Sequence, residues 1–154
     1  MLYKYFMAFS LAIIAAVSPV SASIAPGVSS VRVVQVQSET GGSETIAAGA
    51  TSTTYSHGGS YLQVTVDEFG ISTYREATYI KTVPSSAITS TRPICGSARA
   101  PSICGAYDDV IGYEVVYKFN PLELSGNSIW SSNYFKYYAR GNGGEASTSF
   151  LIRA

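Results

Sequence analysis

The chain has 154 residues, with ten Lys or Arg balanced by ten Asp or Glu, so its formal net charge is zero. No basic cluster occurs along it, which excludes nucleic-acid binding, a function that needs a phosphate-neutralising patch. It is rich in tyrosine and glycine, with 12 Tyr and 14 Gly, but holds a single His and two Cys.

The N-terminus opens Met1-Leu2-Tyr3-Lys4 and then runs without charge from Tyr5 to Val17 before Pro19 breaks it. This apolar run is too short to span about 30 Å of hydrocarbon. Val20-Ser21-Ala22 then supplies small residues where signal peptidase needs them, so residues 1–22 are expected to be a cleaved signal peptide. Ser23-Ile24-Ala25 offers an alternative cut three residues on. No later stretch approaches about 18 consecutive apolar residues. Removing 22 of 154 residues leaves 132, enough for one domain, so 23–154 is expected to be a single exported domain, extracellular or periplasmic.

No window beyond the leader keeps apolar residues at helical spacing, whereas several alternate with period two. The expected fold is therefore all-β, a single-domain antiparallel β-sandwich or small barrel of about 6–8 strands. The first strand is expected at 28–37. There Val31 and Val33 share one parity and Val34 and Val36 the other, which requires burial on both faces or a bulge. Residues 38–59, rich in Gly, Ser, Thr and Ala, read as a long loop. Within 60–68, Leu62, Val64 and Val66 face one way and Gln63, Thr65 and Asp67 the other, a strand with one wet face. Phe69-Gly70 offers a turn, and 71–83 is expected to return as the second arm of a hairpin.

Residues 93–106 hold both cysteines in the near-duplicate Ile94-Cys95-Gly96 and Ile103-Cys104-Gly105. In an exported chain these thiols are expected to pair, stapling the base of an exposed loop. The firmest core strand is 110–119, where Ile111, Tyr113, Val115, Tyr117 and Phe119 form an unbroken apolar face. Strands at 129–139 and 147–153 then flank Gly141-Asn142-Gly143-Gly144, a hairpin loop by composition.

Chemistry-bearing residues are sparse. The sole histidine, His57, lies in Thr54-Tyr55-Ser56-His57-Gly58-Gly59 and is expected to be exposed on a loop. No G-x-S-x-G nucleophile motif accompanies it, so no catalytic residue is assigned. Adjacent Asp67 and Glu68 point to opposite strand faces and cannot flank one glycosidic bond. Asp108 and Asp109 read as solvated turn residues, and neither a metal nor any other cofactor is expected. The more informative pattern is aromatic. Trp130, Tyr134, Lys136 and Tyr138 share one parity and Phe135 and Tyr137 the other, so one of these faces is a candidate binding surface, as is the loop around His57.

Three segments, Val31-Arg32-Val33-Val34-Gln35-Val36, then Thr51 through Ser60 with its His57-Gly58-Gly59, then Leu62 through Gly70, together resemble the YolA-like family of small secreted bacterial proteins. The resemblance covers about half of 23–154 and implies a bacterial, exported, β-rich protein whose distinctive element is the loop around His57. It carries no catalytic residue, and it does not include the cysteine pair.

The leading expectation is a non-enzymatic extracellular module that binds a glycan, wall polymer or protein. The first alternative is an antimicrobial or toxin-like protein acting at a membrane. Contact of that kind finds no support in the charge, because anionic lipid attracts excess Lys and Arg. The second alternative is a small hydrolase using His57.

Overall fold

The computed structural model describes residues 26–79, 81–83, 88–98, 100–106, 108–119 and 132–154. The expected signal peptide and Trp130 lie outside these residues. Ten strands are described: β1 (Ser30–Ser38), β2 (Gly42–Thr45), β3 (Leu62–Phe69), β4 (Tyr74–Tyr79), β5 (Lys81–Val83), β6 (Ile88–Ser97), β7 (Ala100–Ile103), β8 (Val110–Phe119), β9 (Asn133–Gly141) and β10 (Gly144–Ile152). They form two sheets, one ordered β2-β1-β3-β8-β6-β7 and the other β10-β9-β4-β5. Every strand pair is antiparallel, which is the all-β sandwich class expected. No helix among the described residues is long and apolar enough to cross a membrane.

The core lies between the sheets. Val64 and Val66 of β3 and Tyr117 and Phe119 of β8 face Ala77 and Tyr79 of β4, Phe135 and Tyr137 of β9, and Phe150 and Ile152 of β10. Aromatic rings carry much of this contact. The Tyr117 and Tyr137 rings meet edge-on at 5.5 Å and Phe119 meets Phe135 at 6.0 Å, geometries worth about 0.5–1.5 kcal/mol beyond the area they bury. In β1 the register shifts between Val33 and Gln35, so that Val33 and Val36 both reach the core despite opposite parity. Of the two readings the valine pairs allowed, burial on both faces or a bulge, this is the bulge.

Four expectations need correction. Residues 38–59 are not one loop, because β2 turns back onto β1 and pairs Glu44 with Val36. Likewise, β3 and β4 do not form a hairpin, since they belong to different sheets. Their corner is Gly70, at φ +102°, where a Cβ would stand 2.2 Å from the Gly27 carbonyl oxygen, so only glycine fits. Nor is the second face of β3 wet, for Thr65 and Asp67 are both buried. Asp67 accepts from Arg32 Nη2 at 3.0 Å, and its register partner Glu114 pairs with Arg92, giving a charged row across β1, β3, β8 and β6. Burial raises the Asp67 pKa, Arg32 partly offsets this, and Glu114 adds to it.

The fourth correction concerns the cysteine segment, which is a hairpin of β6 and β7. Pro93, lacking an N–H, argues against a strand, yet it sits in β6 opposite Tyr113 while its carbonyl accepts the Cys104 N–H. Cys95 and Cys104 are bonded across 5.0 Å between Cα atoms, which ties the open end of this hairpin. The bridge closes a short ring, and the double variant Cys95→Ser, Cys104→Ser is expected to lose about 2–3 kcal/mol. An unchanged urea midpoint would show that the hairpin holds without it.

One end of the core is polar. Glu68, fully buried, accepts from Arg75 Nε at 2.9 Å and Nη2 at 2.8 Å, from Ser72 Oγ at 2.8 Å, and from the Tyr137 hydroxyl. Burial opposes the charge on Arg75, but Glu68 outweighs it and holds the guanidinium more firmly protonated than usual.

Candidate functional site

The four-stranded sheet turns one face to the core and the other outward. On β9 the core takes Phe135, Tyr137 and Ala139, which leaves Tyr134, Lys136, Tyr138 and Arg140 on the outer face. This settles the parity question for the described part of the aromatic strand. Tyr134 is 51% exposed, Lys136 is exposed and Tyr138 is half-buried.

The register places three outward rows across β4, β9 and β10: Tyr74, Arg140 and Glu145; then Glu76, Tyr138 and Ser147; then Thr78, Lys136 and Ser149. A fourth pair, Tyr134 and Leu151, extends the face at its end. The rows are built because successive side chains of each strand point to opposite faces, so one set lines the core and the other faces outward. A shallow depression of about 370 Å³ lies along them, lined by Glu76, Thr78, Lys136, Tyr138, Ser147 and Ser149.

Most side chains of this face are held by neighbours. The Tyr74 hydroxyl donates to Glu76 at 3.0 Å and the Tyr138 hydroxyl to Glu145 at 2.7 Å, and each bond raises its phenol's pKa. The two rings meet edge-on at 6.1 Å, and the Arg140 guanidinium lies 5.8 Å from the Tyr74 centroid. The result is a pre-ordered surface of rings and hydroxyls at low entropy cost to a ligand. β9 and β10 are joined through Asn142-Gly143, Gly143 at φ +86°, the hairpin that the glycine-rich loop implied.

His57 is elsewhere and is not exposed. It is 2% exposed, a correction to the loop reading. Its backbone N–H donates to the Arg153 carbonyl at 2.8 Å, while Thr53 and Thr51 bond Leu151, so the segment covers the free edge of β10. Ser38 Oγ lies 3.0 Å from His57 Nδ1 and Glu44 Oε2 lies 3.2 Å from Nε2, a serine, histidine and carboxylate in one chain of bonds. Sequence reasoning missed both partners, because neither Ser38 nor Glu44 sits in a motif.

Ser38 Oγ accepts the N–H groups of Gly41 at 3.0 Å and Gly58 at 3.2 Å, which uses its lone pairs and leaves its proton for Nδ1. Nε2 is then the protonated nitrogen and donates to Glu44, whose carboxylate also accepts the Thr54 and Tyr55 N–H groups. Burial would raise the Glu44 pKa, but these donors together with His57 hold it below the usual carboxylate range. With Ser38 only 1% exposed and its oxygen already twice bonded, the array is a clamp on the 51–61 segment.

Asp67 and Glu68 do diverge to opposite faces, as the strand geometry requires. Asp108 and Asp109 are exposed, and Asp108 accepts the Gly105 N–H at 2.7 Å in a local turn. Among the described residues no group of three His, Cys, Asp or Glu is placed to hold a metal ion.

Fold and face together define an antiparallel β-sandwich with one ordered aromatic and hydroxyl surface. The chain belongs to the family described as "Domain of unknown function (DUF4879)", which matches residues 18–152. No curated protein and no solved structure matches it.

Proposed function

We propose that the protein is an exported, non-enzymatic module that binds an extended glycan or wall polymer on the outer face of its four-stranded sheet. The observation that carries this reading is the outward row of Tyr134, Lys136 and Tyr138, flanked by Thr78, Ser147 and Ser149. Tyrosine rings offer flat apolar faces for sugar rings, and the hydroxyls and carboxylates beside them supply donors and acceptors. Export rests on the signal peptide at 1–22 and is consistent with the Cys95–Cys104 bridge. The likeness to YolA-like secreted proteins points the same way.

Neither alternative has comparable support. The hydrolase needs an accessible nucleophile, and Ser38 is buried with its oxygen occupied. The membrane-active reading needs excess positive charge, whereas the face described carries Glu76 and Glu145 against Lys136 and Arg140.

The test is binding of the mature domain to immobilised cell-wall polysaccharides. Tyr134→Ala is expected to weaken retention at least tenfold, since truncating an exposed aromatic anchor typically costs about 1–2 kcal/mol or more. Retention unchanged in this variant, with folding confirmed by circular dichroism, would refute the outer-face assignment.

A further inference from the structure

The described cations of this protein are almost all engaged. Arg32 binds Asp67, Arg75 binds Glu68, and Arg92 binds Glu114. Arg140 lies over the Tyr74 ring, Lys118 over the Tyr61 ring, and Arg153 reaches Ser52. Among the cations whose side chains are described, Lys136 alone has no hydrogen bond, ion pair or ring partner.

Its position makes that freedom specific. Lys136 stands in the middle of the candidate face, with Thr78 opposite it on β4 and Ser149 opposite it on β10. Cross-strand partners have Cβ atoms about 4.5–5.5 Å apart, and all three residues line the same depression, so a flexible ammonium and two hydroxyls are within reach of one anion. The nearest carboxylates on the face are already bonded, Glu76 to the Tyr74 hydroxyl and Glu145 to the Tyr138 hydroxyl. Two aromatic residues bracket the spot along β9, Tyr134 before it and Tyr138 after it.

The arrangement of the donors favours a tetrahedral anion. Arginine's fork matches carboxylate and phosphate alike, whereas lysine is a compact point charge and leaves the geometry to the groups beside it. One ammonium between two hydroxyls offers separate donors to the several oxygens of a tetrahedral group. We propose that this face takes a phosphate-bearing polymer, with the phosphate on Lys136, Thr78 and Ser149 and its sugar or polyol units against Tyr134 and Tyr138. This rests on the glycan-binding reading above and narrows its ligand class.

Calorimetric titration of the mature domain separates the two. The probes are poly(glycerol phosphate), a neutral glucan, a polyuronate of similar length, and phosphatidylglycerol vesicles. The expected result is binding of the phosphate polymer that weakens as salt rises from 50 to 300 mM, at least tenfold tighter than to glucan or polyuronate. Lys136→Gln, an exposed change that removes the charge, is expected to abolish that preference, and Tyr134→Ala to weaken every polymer. Equal binding of glucan, lost in Tyr134→Ala and untouched in Lys136→Gln, would overturn the phosphate inference and leave the glycan reading standing. Equal binding of polyuronate would overturn it too. Binding to vesicles alone would overturn both in favour of a membrane surface, and failure of every probe would overturn both outright.

Discussion

Arg75→Met is expected to destabilise the protein by about 3–5 kcal/mol at pH 7, the range for removing one partner of a buried ion pair. Glu68 loses three short contacts from the guanidinium and keeps only the Ser72 and Tyr137 hydroxyls as donors. Its carboxylate, with no exposed surface, then carries an uncompensated charge. Urea unfolding at pH 7 measures the destabilisation. A loss below about 1 kcal/mol would mean that Glu68 reaches water once Arg75 is gone. Arg75→Lys restores a charge but not the fork, and is expected to recover only part of the loss.

The second large effect is alkaline. Burial pushes Tyr79 and Tyr117 up to about 12, and burial together with Glu68 pushes Tyr137 up as well. In the unfolded chain all three return to about 10. A group whose folded pKa is raised contributes fully below its unfolded value, and that contribution is lost as pH rises toward the folded value. Stability is therefore expected to hold up to about pH 10 and then fall, by about 2 kcal/mol each from Tyr79 and Tyr117 at pH 12. Phenolate absorbance and circular dichroism recorded together test this. The buried Tyr79, Tyr117 and Tyr137 should ionise only with loss of the β signal. Complete ionisation near pH 10 with the fold intact would contradict the burial of these rings.

The face proposed for binding was half legible in the sequence. Alternation along 133–141 separates Tyr134, Lys136 and Tyr138 from Phe135 and Tyr137, but alternation alone does not say which set is inside. Packing decided it. Phe135 and Tyr137 meet Phe119 and Tyr117 of the other sheet, and two aromatic faces can be buried on one strand only if a third layer covers it. The other members of the face, Thr78 and Ser149, lie 58 and 13 residues from Lys136 in the chain and become its neighbours only through register.

What went unread has common causes. β2 is Gly-Ser-Glu-Thr and carries no apolar residue to signal a strand; its formation rests on β1 beside it. β6 was hidden by Pro93 and by Thr89, Ser90, Thr91 and Arg92, whose exposed faces give no hydrophobic period. His57 has the composition of an open loop around it, and its burial depends on Ser38 and Glu44, which are 19 and 13 residues away.

By itself the sequence determined what local chemistry can specify. Period-two alternation made the chain all-β, the opposed valines of 31–36 called for burial on both faces or a bulge, Gly141-Asn142-Gly143-Gly144 marked a hairpin loop, and the two cysteines were expected to pair. The tertiary structure alone decided which strands pair and which faces meet water. Gly70 turns β3 away from β4 because it packs on Gly27, 43 residues earlier. The pairing of β1 with β3 sets Asp67 beside Arg32, where it is buried. Both outcomes depend on contacts between segments far apart in the chain, and no local pattern of residue types encodes which distant segment will arrive.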